Sequence, residues 1–199
     1  MADLEKTGKN LEGRGFRVHR FASGAEAAEF LAQTLHGTSI GIGGSVTIDT
    51  LGVYDRLCGS NEVFWHWKNH APETRERAGK AETYLCSANG VSENGEIVNI
   101  DGFGNRVAGT IYGPERVFLV VGRNKIAPDL TGAIDRARNI AAPLNARRLN
   151  RHTPCAVGEP RCHDCRSPEK VCGVMTVFFM PPTSIKEFHV LLVNEDLGY

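Results

Sequence analysis

Four cysteines near the end of the chain have the residue type and spacing of metal ligands. Cys155, Cys162, Cys165 and Cys172 form the pattern C-x6-C-x2-C-x6-C. The two-residue gap between the central pair lets two thiolates bind one ion from a tight turn, and the flanking cysteines could supply two more ligands. The pattern predicts either a zinc ion or an iron–sulfur cluster, while free thiols or disulfides formed on oxidation would also fit it.

The segment that carries these cysteines, at about residues 146–173, is predicted to be a loop-like insert within a single domain. It is rich in Arg, Pro and Cys and lacks apolar periodicity, so a metal could supply the free energy that orders it. Residues 136–170 contain eight Lys or Arg and three Asp or Glu. This positive excess would stabilise a tetrathiolate zinc centre, whose formal charge is about −2.

A glycine-rich turn over residues 41–47 follows a predicted strand and opens a predicted helix. Gly43 and Gly44 allow close backbone approach, Ser45 can cap the helix, and Thr47 presents a hydroxyl in its first turn. Free N–H groups and the helix dipole at such a turn favour a phosphate or carboxylate. The turn matches neither the P-loop nor G-x-G-x-x-G, so we predict no nucleotide cofactor. A tight strand-to-helix connection without a ligand is the alternative.

Polar side chains also follow other predicted strands. The further candidate ligand-binding residues are Asn89, Asp101, Asn105, Arg106, Asn124 and Lys125. Ligands of open α/β sheets bind at the carboxyl ends of the strands, so we expect these turns to converge with the glycine-rich turn on one cleft for a small anion. Each turn alone could instead be solvated, with Asn and Gly present for conformational reasons. No nucleophile–base pair is recognisable, and we assign no catalytic residue.

Strand-like and helix-like segments alternate along the chain, which predicts an α/β layer fold. Helices are predicted to begin at Ser23, to cover residues 72–80, and to start again after Asp129, with Pro143 ending or kinking the last one. Asn94–Gly95 predicts a two-residue hairpin turn. The predicted strands span residues 38–42, 84–86, 97–100, 107–112, 117–121, 175–180 and 188–193, the last two completing the sheet.

Composition limits the class of protein. The 199-residue chain is 41% hydrophobic, and its 23 basic and 23 acidic residues cancel. This length and apolar content fit one domain, and the zero net charge argues against a nucleic-acid partner. Apolar runs fall short of the roughly 20 residues needed to span a bilayer, and the N-terminal segment lacks the apolar core of a signal peptide. We therefore expect a cytoplasmic protein without membrane insertion.

Four segments together resemble the LUD-domain proteins, the lactate-utilisation family related to the C subunit of the bacterial lactate-oxidation system. They are GIGGSVTIDTLGV, SANGVSENGEIVNIDGFGNRVAGTIYGPERVFLVVGRNKI, AAPLNARRL and the terminal LVNEDLGY. The resemblance implies a three-layer α/β fold similar to the sugar-phosphate isomerase and CoA-transferase superfamily, with helices flanking a mixed central sheet. In that superfamily, glycine-rich loops at the sheet edge hold phosphorylated or acyl-CoA ligands.

The resemblance further implies a subunit or accessory protein of lactate or organic-acid oxidation that binds a small anion. Partners would be iron–sulfur or oxidoreductase subunits, or a second copy of the chain in a homo-oligomer. The tandem ferredoxin-like cysteine motifs of the larger iron–sulfur subunit are missing, so electron transfer through two clusters is not implied. Two alternatives remain: a non-catalytic sensor or assembly module stapled by a metal, and a sugar-phosphate- or CoA-handling enzyme.

Overall fold

The computed structural model describes residues 3–199, whose strands form two sheets. The strands are β1 (Arg17–Phe21), β2 (Ser39–Ile42), β3 (Glu62–Trp65), β4 (Thr83–Ser87), β5 (Gly90–Ser92), β6 (Ile97–Asp101), β7 (Arg116–Gly122), β8 (Ile126–Ala127), β9 (Val174–Phe178) and β10 (Glu187–Val193). The helices are α1 (Leu4–Gly13), α2 (Gly24–Thr34), α3 (Val46–Leu51), α4 (Tyr54–Cys58), α5 (Thr74–Lys80), α6 (Asn105–Ile111), α7 (Leu130–Arg136), α8 (Ala142–Arg148) and α9 (Pro154–Val157).

The central sheet is parallel throughout, in the order β1-β10-β7-β4-β2-β3. Its inner strands β7 and β4 are buried along almost their whole length, as expected of parallel strands covered on both faces. A smaller sheet has the order β8-β5-β6-β9, and β6 pairs antiparallel with β5 and β9. The predicted α/β class with helices flanking a central sheet is confirmed, and the antiparallel pairing that makes the set of strands mixed lies in the smaller sheet.

Two main clusters of buried apolar side chains hold these layers together. On one face of the central sheet, Leu31 of α2, Ile48 of α3 and Leu57 of α4 are fully buried. On the other face, Leu11 of α1 packs with residues of the small sheet such as Ile97. A third cluster lies between the small sheet and α7. Within residues 3–199, no helix combines the length and apolar character needed to cross a membrane.

The sequence prediction is wrong for residues 107–112, which form most of α6 and no strand. The Asp101 carboxylate accepts hydrogen bonds from the backbone N–H groups of Arg106 (3.0 Å) and Val107 (3.4 Å), so it caps the first turn of the helix. Gly104 has a φ of 93°, which turns the chain from β6 into the helix. This local capping outweighs the strand preference of the β-branched residues in the segment.

Pro143 does not end the helix in which it lies. A π-helical turn over Ala137–Ala141 precedes it, and α8 continues to Arg148. Proline lacks a backbone N–H and crowds the preceding turn, so a widened turn just before it accommodates the ring at low cost. Of the two predicted outcomes, an end or a kink, the end is therefore wrong, since one helical element runs from α7 through the π-helical turn to the end of α8.

Two strand connections also differ from prediction. The hairpin forms between β5 and β6, but Asn94 and Gly95 lie in a four-residue connection, and of these two only Gly95 has a positive φ, 91°. The late strand β9 pairs with β6 in the small sheet instead of completing the central sheet, which β10 alone joins. The pattern of apolar residues predicts that a segment forms a strand, but it does not predict which sheet the strand joins.

Gly41 in β2 lets helix α5 approach the central sheet. A Cβ atom at Gly41 would lie 1.9 Å from the carbonyl oxygen of Ala78 in α5, a distance that no contact tolerates. Gly79, the next residue of the same helix, has space for a methyl group, since a Cβ atom there would have no other atom within 4 Å. Of these two neighbouring glycines, only Gly41 is therefore required for the packing of α5 against β2.

We expect Gly41→Ala to lower the free energy of unfolding by about 3 kcal/mol, because backbone atoms must move apart to admit the methyl group. Gly79→Ala is expected to leave stability unchanged or raise it by up to about 1 kcal/mol through helix propensity. Urea unfolding of both variants, followed by circular dichroism, measures the difference. Equal stability of the two variants would contradict this account of the β2–α5 contact.

Candidate functional site

A cleft of about 850 Å³ lies at the carboxyl ends of the central strands. The segments after β2, β3, β4 and β7 reach it, as does the turn that links β6 to α6. The insert supplies a further wall through residues 168–171. The cleft is therefore formed where an α/β sheet ordinarily binds ligands.

Eight of the ten sequence-predicted ligand residues line this cleft: Gly44, Ser45, Thr47, Asn89, Asp101, Asn105, Arg106 and Lys125. Gly43 lies behind the lining, where an added Cβ would be 3.2 Å from Cγ of Arg106. The Asn124 side chain points to the final residues of the chain, accepting a hydrogen bond from the Leu197 N–H and donating one to the Gly198 carbonyl, each at 3.1 Å. These two residues support the cleft from outside it.

Lys125 reaches the base of the cleft from the 3₁₀ turn after β7 and is 2% exposed. Its ammonium donates hydrogen bonds to Oγ1 of Thr47 (2.7 Å) and Oγ of Ser87 (2.8 Å), both neutral hydroxyls. Burial holds the pKa of Lys125 well below its ordinary value, and the positive charges of Arg136 and Arg106 lower it further. The base of the cleft therefore carries a basic group with no carboxylate partner among its hydrogen bonds.

Arg106 is fixed beside this lysine by the start of α6. Its guanidinium donates to Oδ1 of Asn89 at 2.6 Å and to the carbonyl of Ile100, and its backbone N–H is held by Asp101. Ser45 uses its hydroxyl to cap α3 by accepting from the Ile48 N–H at 3.2 Å. The side chains that the sequence suggested as ligands are thus also the ones that shape the site.

Arg136 lies behind the cleft rather than in its lining. It donates to the carbonyls of Asn124 (2.7 Å) and Asn89, and burial lowers its pKa to about 10. A guanidinium with that pKa is still charged at neutral pH, so it adds positive potential under the site.

Basic side chains outnumber acidic ones around the cleft. The basic lining residues are Lys68, Arg75, Arg106, Lys125, Arg148, Arg151 and Lys170, and the acidic ones are Asp49, Asp101 and Glu169. Arg148 lies with its guanidinium carbon 4.6 Å from the ring centroid of Trp67 and donates to the hydroxyl of Tyr199 at 2.7 Å. A concave surface with this imbalance attracts anions.

His66 lines the cleft from the segment that follows β3. Burial lowers its pKa to about 4, with the positive charge of Arg75 as the next cause. Its buried Nδ1 has no hydrogen-bond partner among the described residues. His66 is therefore neutral near pH 7, and its unpartnered Nδ1 is buried away from the open part of the cleft.

Several lining residues have little signal in the sequence. Arg75, Arg148 and Arg151 lie on or beside helices. The sequence pattern of these helices does not predict that they reach the carboxyl edge of the sheet. Tyr199 could have been found, because it belongs to the terminal segment LVNEDLGY that carries the family resemblance. His66 is marked only by its place in an unusual Trp-His-Trp sequence.

The four insert cysteines lie outside the cleft. Cys162 and Cys172 line a second cavity of about 350 Å³, and among residues 3–199 none of the four cysteines forms a disulfide. Burial raises the pKa of Cys172, Lys170 opposes the rise, and the thiols of Cys162, Cys165 and Cys155 add to it. Across residues 3–199, no three His, Cys, Asp or Glu side chains form a ready coordination group. The metal centre stays a prediction.

The fold and site define an α/β protein with a polar, basic cleft at the carboxyl edge of a parallel sheet. The sequence model of the LUD domain matches residues 4–193, and the protein belongs to the LUD-domain family. No functionally curated protein matches its sequence. The crystal structure of a DUF162 family protein from Deinococcus radiodurans has a similar fold, with a TM-score of 0.56 at 14% sequence identity. The match covers 96% of this chain and 95% of that one.

The electrostatic description of His66 has a direct test. We expect its ring protons to titrate with a midpoint near pH 4 in NMR spectra, and Arg75→Gln to raise that midpoint because a nearby positive charge is removed. Arg77→Gln is the control, since Arg77 belongs to the same helix but pairs with Glu62 outside the cleft. An unshifted midpoint in Arg75→Gln would show that Arg75 does not act on His66.

Proposed function

We propose that this LUD-family protein binds a small organic anion in the cleft and acts in the cytoplasm as a subunit or accessory protein of lactate-type organic-acid oxidation. The observation that carries the proposal is the position of Lys125, a buried basic group at the base of the cleft whose hydrogen-bond partners are both neutral. The family resemblance supplies the lactate assignment. As an accessory subunit, the protein would work with oxidoreductase or iron–sulfur partners.

The electrostatics of the cleft base favour an anion. A buried ammonium without a carboxylate is costly, and an incoming carboxylate or phosphate offsets that cost with a charge-assisted hydrogen bond. Arg106 lies beside Lys125 with its guanidinium already fixed by Asn89, so little side-chain entropy is lost on binding. A carboxylate held by Lys125 and Arg106 would leave the rest of its carbon chain facing His66 and the walls.

The size of the cleft favours a second candidate function. A volume of about 850 Å³ far exceeds what a three-carbon acid needs and lies near the upper end of ordinary ligand sites. Basic residues also extend from the base to the rim. A phosphorylated ligand, as in a sugar-phosphate- or CoA-handling enzyme, would use more of this surface than lactate does.

The proposal is tested by calorimetric titration with lactate, pyruvate, inorganic phosphate, a sugar phosphate and CoA. We expect at least one of them to bind, and Lys125→Met to weaken that binding about 10–100-fold, because one charge-assisted hydrogen bond is lost while the apolar stem is kept. Arg123→Gln is the matched control: it lies on the same turn but pairs with Asp196 at 2.9 Å and does not line the cleft.

The outcomes separate the candidates. Binding of lactate or pyruvate supports the organic-acid assignment, and binding of phosphorylated compounds alone favours the second candidate. If no probe binds, or if Lys125→Met binds as tightly as the unchanged protein, the cleft does not have the proposed role. Thermal unfolding of each variant shows whether a loss of binding reflects a loss of folding.

The affinity for an anion should also depend on pH. The pKa of Lys125 is low in the free protein, and a bound anion raises it, so binding takes up a proton and weakens as the pH rises. Sulfate is the suitable probe, because it does not itself titrate between about pH 6 and 9. We expect its dissociation constant to increase over that range, and Lys125→Met to remove most of the dependence. An identical pH profile in both proteins would contradict the role given to Lys125.

A further inference from the structure

The hydrogens of the two hydroxyls beside Lys125 are already committed to backbone carbonyls. The Ser87 hydroxyl donates to the carbonyl of Val120 at 2.6 Å, and the Thr47 hydroxyl donates to the carbonyl of Leu197 at 3.2 Å. A hydroxyl that donates its one hydrogen can only accept from a further neighbour. The hydrogen bonds that join Lys125 to Ser87 (2.8 Å) and to Thr47 (2.7 Å) are therefore both donated by the lysine nitrogen.

The Lys125 nitrogen has one direction left for a further contact. Lys125, Thr47 and Ser87 all line the cleft, and within residues 3–199 the nitrogen has no third hydrogen-bond partner. A neutral primary amine has two hydrogens and one lone pair, so donation of both hydrogens to the hydroxyls leaves the lone pair in the remaining tetrahedral position. The two hydroxyls therefore suit a neutral amine that presents its nucleophilic side to a molecule in the cleft.

The charges around Lys125 also favour the neutral amine. Burial lowers the pKa of Lys125, and the positive charges of Arg136 and Arg106 lower it further. Cys86 acts in the opposite direction, but burial raises the pKa of this thiol to about 12, so the thiol is uncharged near neutral pH. Part of the lysine is therefore unprotonated there, and an unprotonated lysine is the form that attacks carbonyl groups in proteins.

We propose that Lys125 forms an imine with the carbonyl carbon of a 2-oxo acid bound in the cleft. This role rests on the proposed function for the organic acid, because oxidation of the hydroxyl group of a lactate-type 2-hydroxy acid gives a 2-oxo acid. It adds a covalent step to the electrostatic role of the same side chain. The ammonium form of Lys125 attracts a carboxylate, whereas the amine form attacks the carbonyl carbon next to a carboxylate.

Arg106 orients such a substrate. Its guanidinium is fixed by Oδ1 of Asn89 at 2.6 Å and by the carbonyl of Ile100, and its positive charge acts on Lys125. The carboxylate carbon and the carbonyl carbon of a 2-oxo acid are directly bonded, so a carboxylate held by Arg106 brings the reacting carbon to Lys125. A simple aldehyde or ketone lacks this anchor. The cleft volume of about 850 Å³ also admits 2-oxo acids longer than pyruvate.

The reaction is a condensation in which no group is oxidised or reduced. The lone pair of the Lys125 nitrogen forms a bond to the carbonyl carbon, and the π electrons of the carbonyl group move to its oxygen. This oxygen then leaves as water and takes both hydrogens that the amine carried, while the remaining electron pair of the nitrogen forms the C=N bond. The hydroxyls of Thr47 and Ser87 already contact these two hydrogens, so they lie where the protons leave the nitrogen.

The experiment traps the imine in the full-length protein. The protein is incubated with pyruvate and sodium cyanoborohydride, whose hydride reduces the C=N bond to a stable secondary amine, and its peptides are mapped by mass spectrometry. We expect Lys125 to gain one carboxyethyl group about tenfold faster than Lys68, because each unit by which the pKa of a lysine falls raises its unprotonated fraction about tenfold. Lys68 is the matched control, since it also lines the cleft but is exposed and pairs with Asp49 at 3.2 Å. Lactate has no ketone group, so it should form no adduct and should slow the labelling of Lys125 by occupying the cleft.

A second measurement tests the orientation by Arg106. The rate of Lys125 labelling with pyruvate is divided by the rate with acetaldehyde, which has no carboxylate. Both rates depend on the protonation of the lysine in the same way, so their ratio reports the carboxylate anchor. We expect Arg106→Gln to lower this ratio about tenfold through the loss of a charge-assisted hydrogen bond. Arg123→Gln removes a charge that pairs with Asp196 outside the cleft and should leave the ratio unchanged. Circular dichroism checks that both variants are folded.

The imine is rejected if Lys125 of the unchanged protein gains no adduct or is labelled no faster than Lys68. The assignment to 2-oxo acids is rejected if Arg106→Gln leaves the ratio as it is in the unchanged protein. Calorimetric binding of lactate or pyruvate without an adduct at Lys125 would reject the imine and leave the proposed function standing. An adduct whose formation lactate does not slow would leave the imine standing and reject the lactate assignment.

Discussion

The amine of Lys125, buried between the hydroxyls of Thr47 and Ser87, is the interaction on which the cleft depends. It joins the helix after β2, the end of β4 and the turn after β7, which are neighbouring elements of the central sheet. An ion pair would stabilise this arrangement better in the free protein, but a carboxylate there would also neutralise the site. Neutral partners orient the lysine and leave its nitrogen without a resident carboxylate, at a cost in stability.

The polar residues around Lys125 hold one another in position. Asp101 caps α6 and so presents Arg106, while Asn89 accepts from Arg106 and from the Ile100 N–H. A mutation at Asp101 or Asn89 would therefore alter the site through the position of Arg106, even if neither residue contacted a ligand. These hydrogen bonds explain why polar turns that could be dismissed as solvated loops are half-buried or buried here.

Much of the cleft could be predicted from the sequence because parallel strands place their carboxyl ends at one edge, and turns after strands are visible as Gly, Asn and Lys following apolar runs. The strand over residues 107–112 was wrongly predicted because its β-branched residues mask the capping by Asp101, which acts from the preceding strand. Arg148 could not be predicted as a lining residue, because its position depends on a helix that continues past Pro143. The spacing of apolar residues in the sequence does not show that a helix contains a π-helical turn.

The π-helical turn over Ala137–Ala141 determines the directions in which the side chains of the following helix, α8, point. Arg136 before it faces the base of the cleft, Arg138 within it reaches the cysteine segment, and Arg148 beyond it stacks on Trp67. Removing one residue from the turn would restore regular α-helix and rotate the following residues by about 100°. Arg148 would then face away from Trp67, and that side of the cavity would lose its guanidinium group.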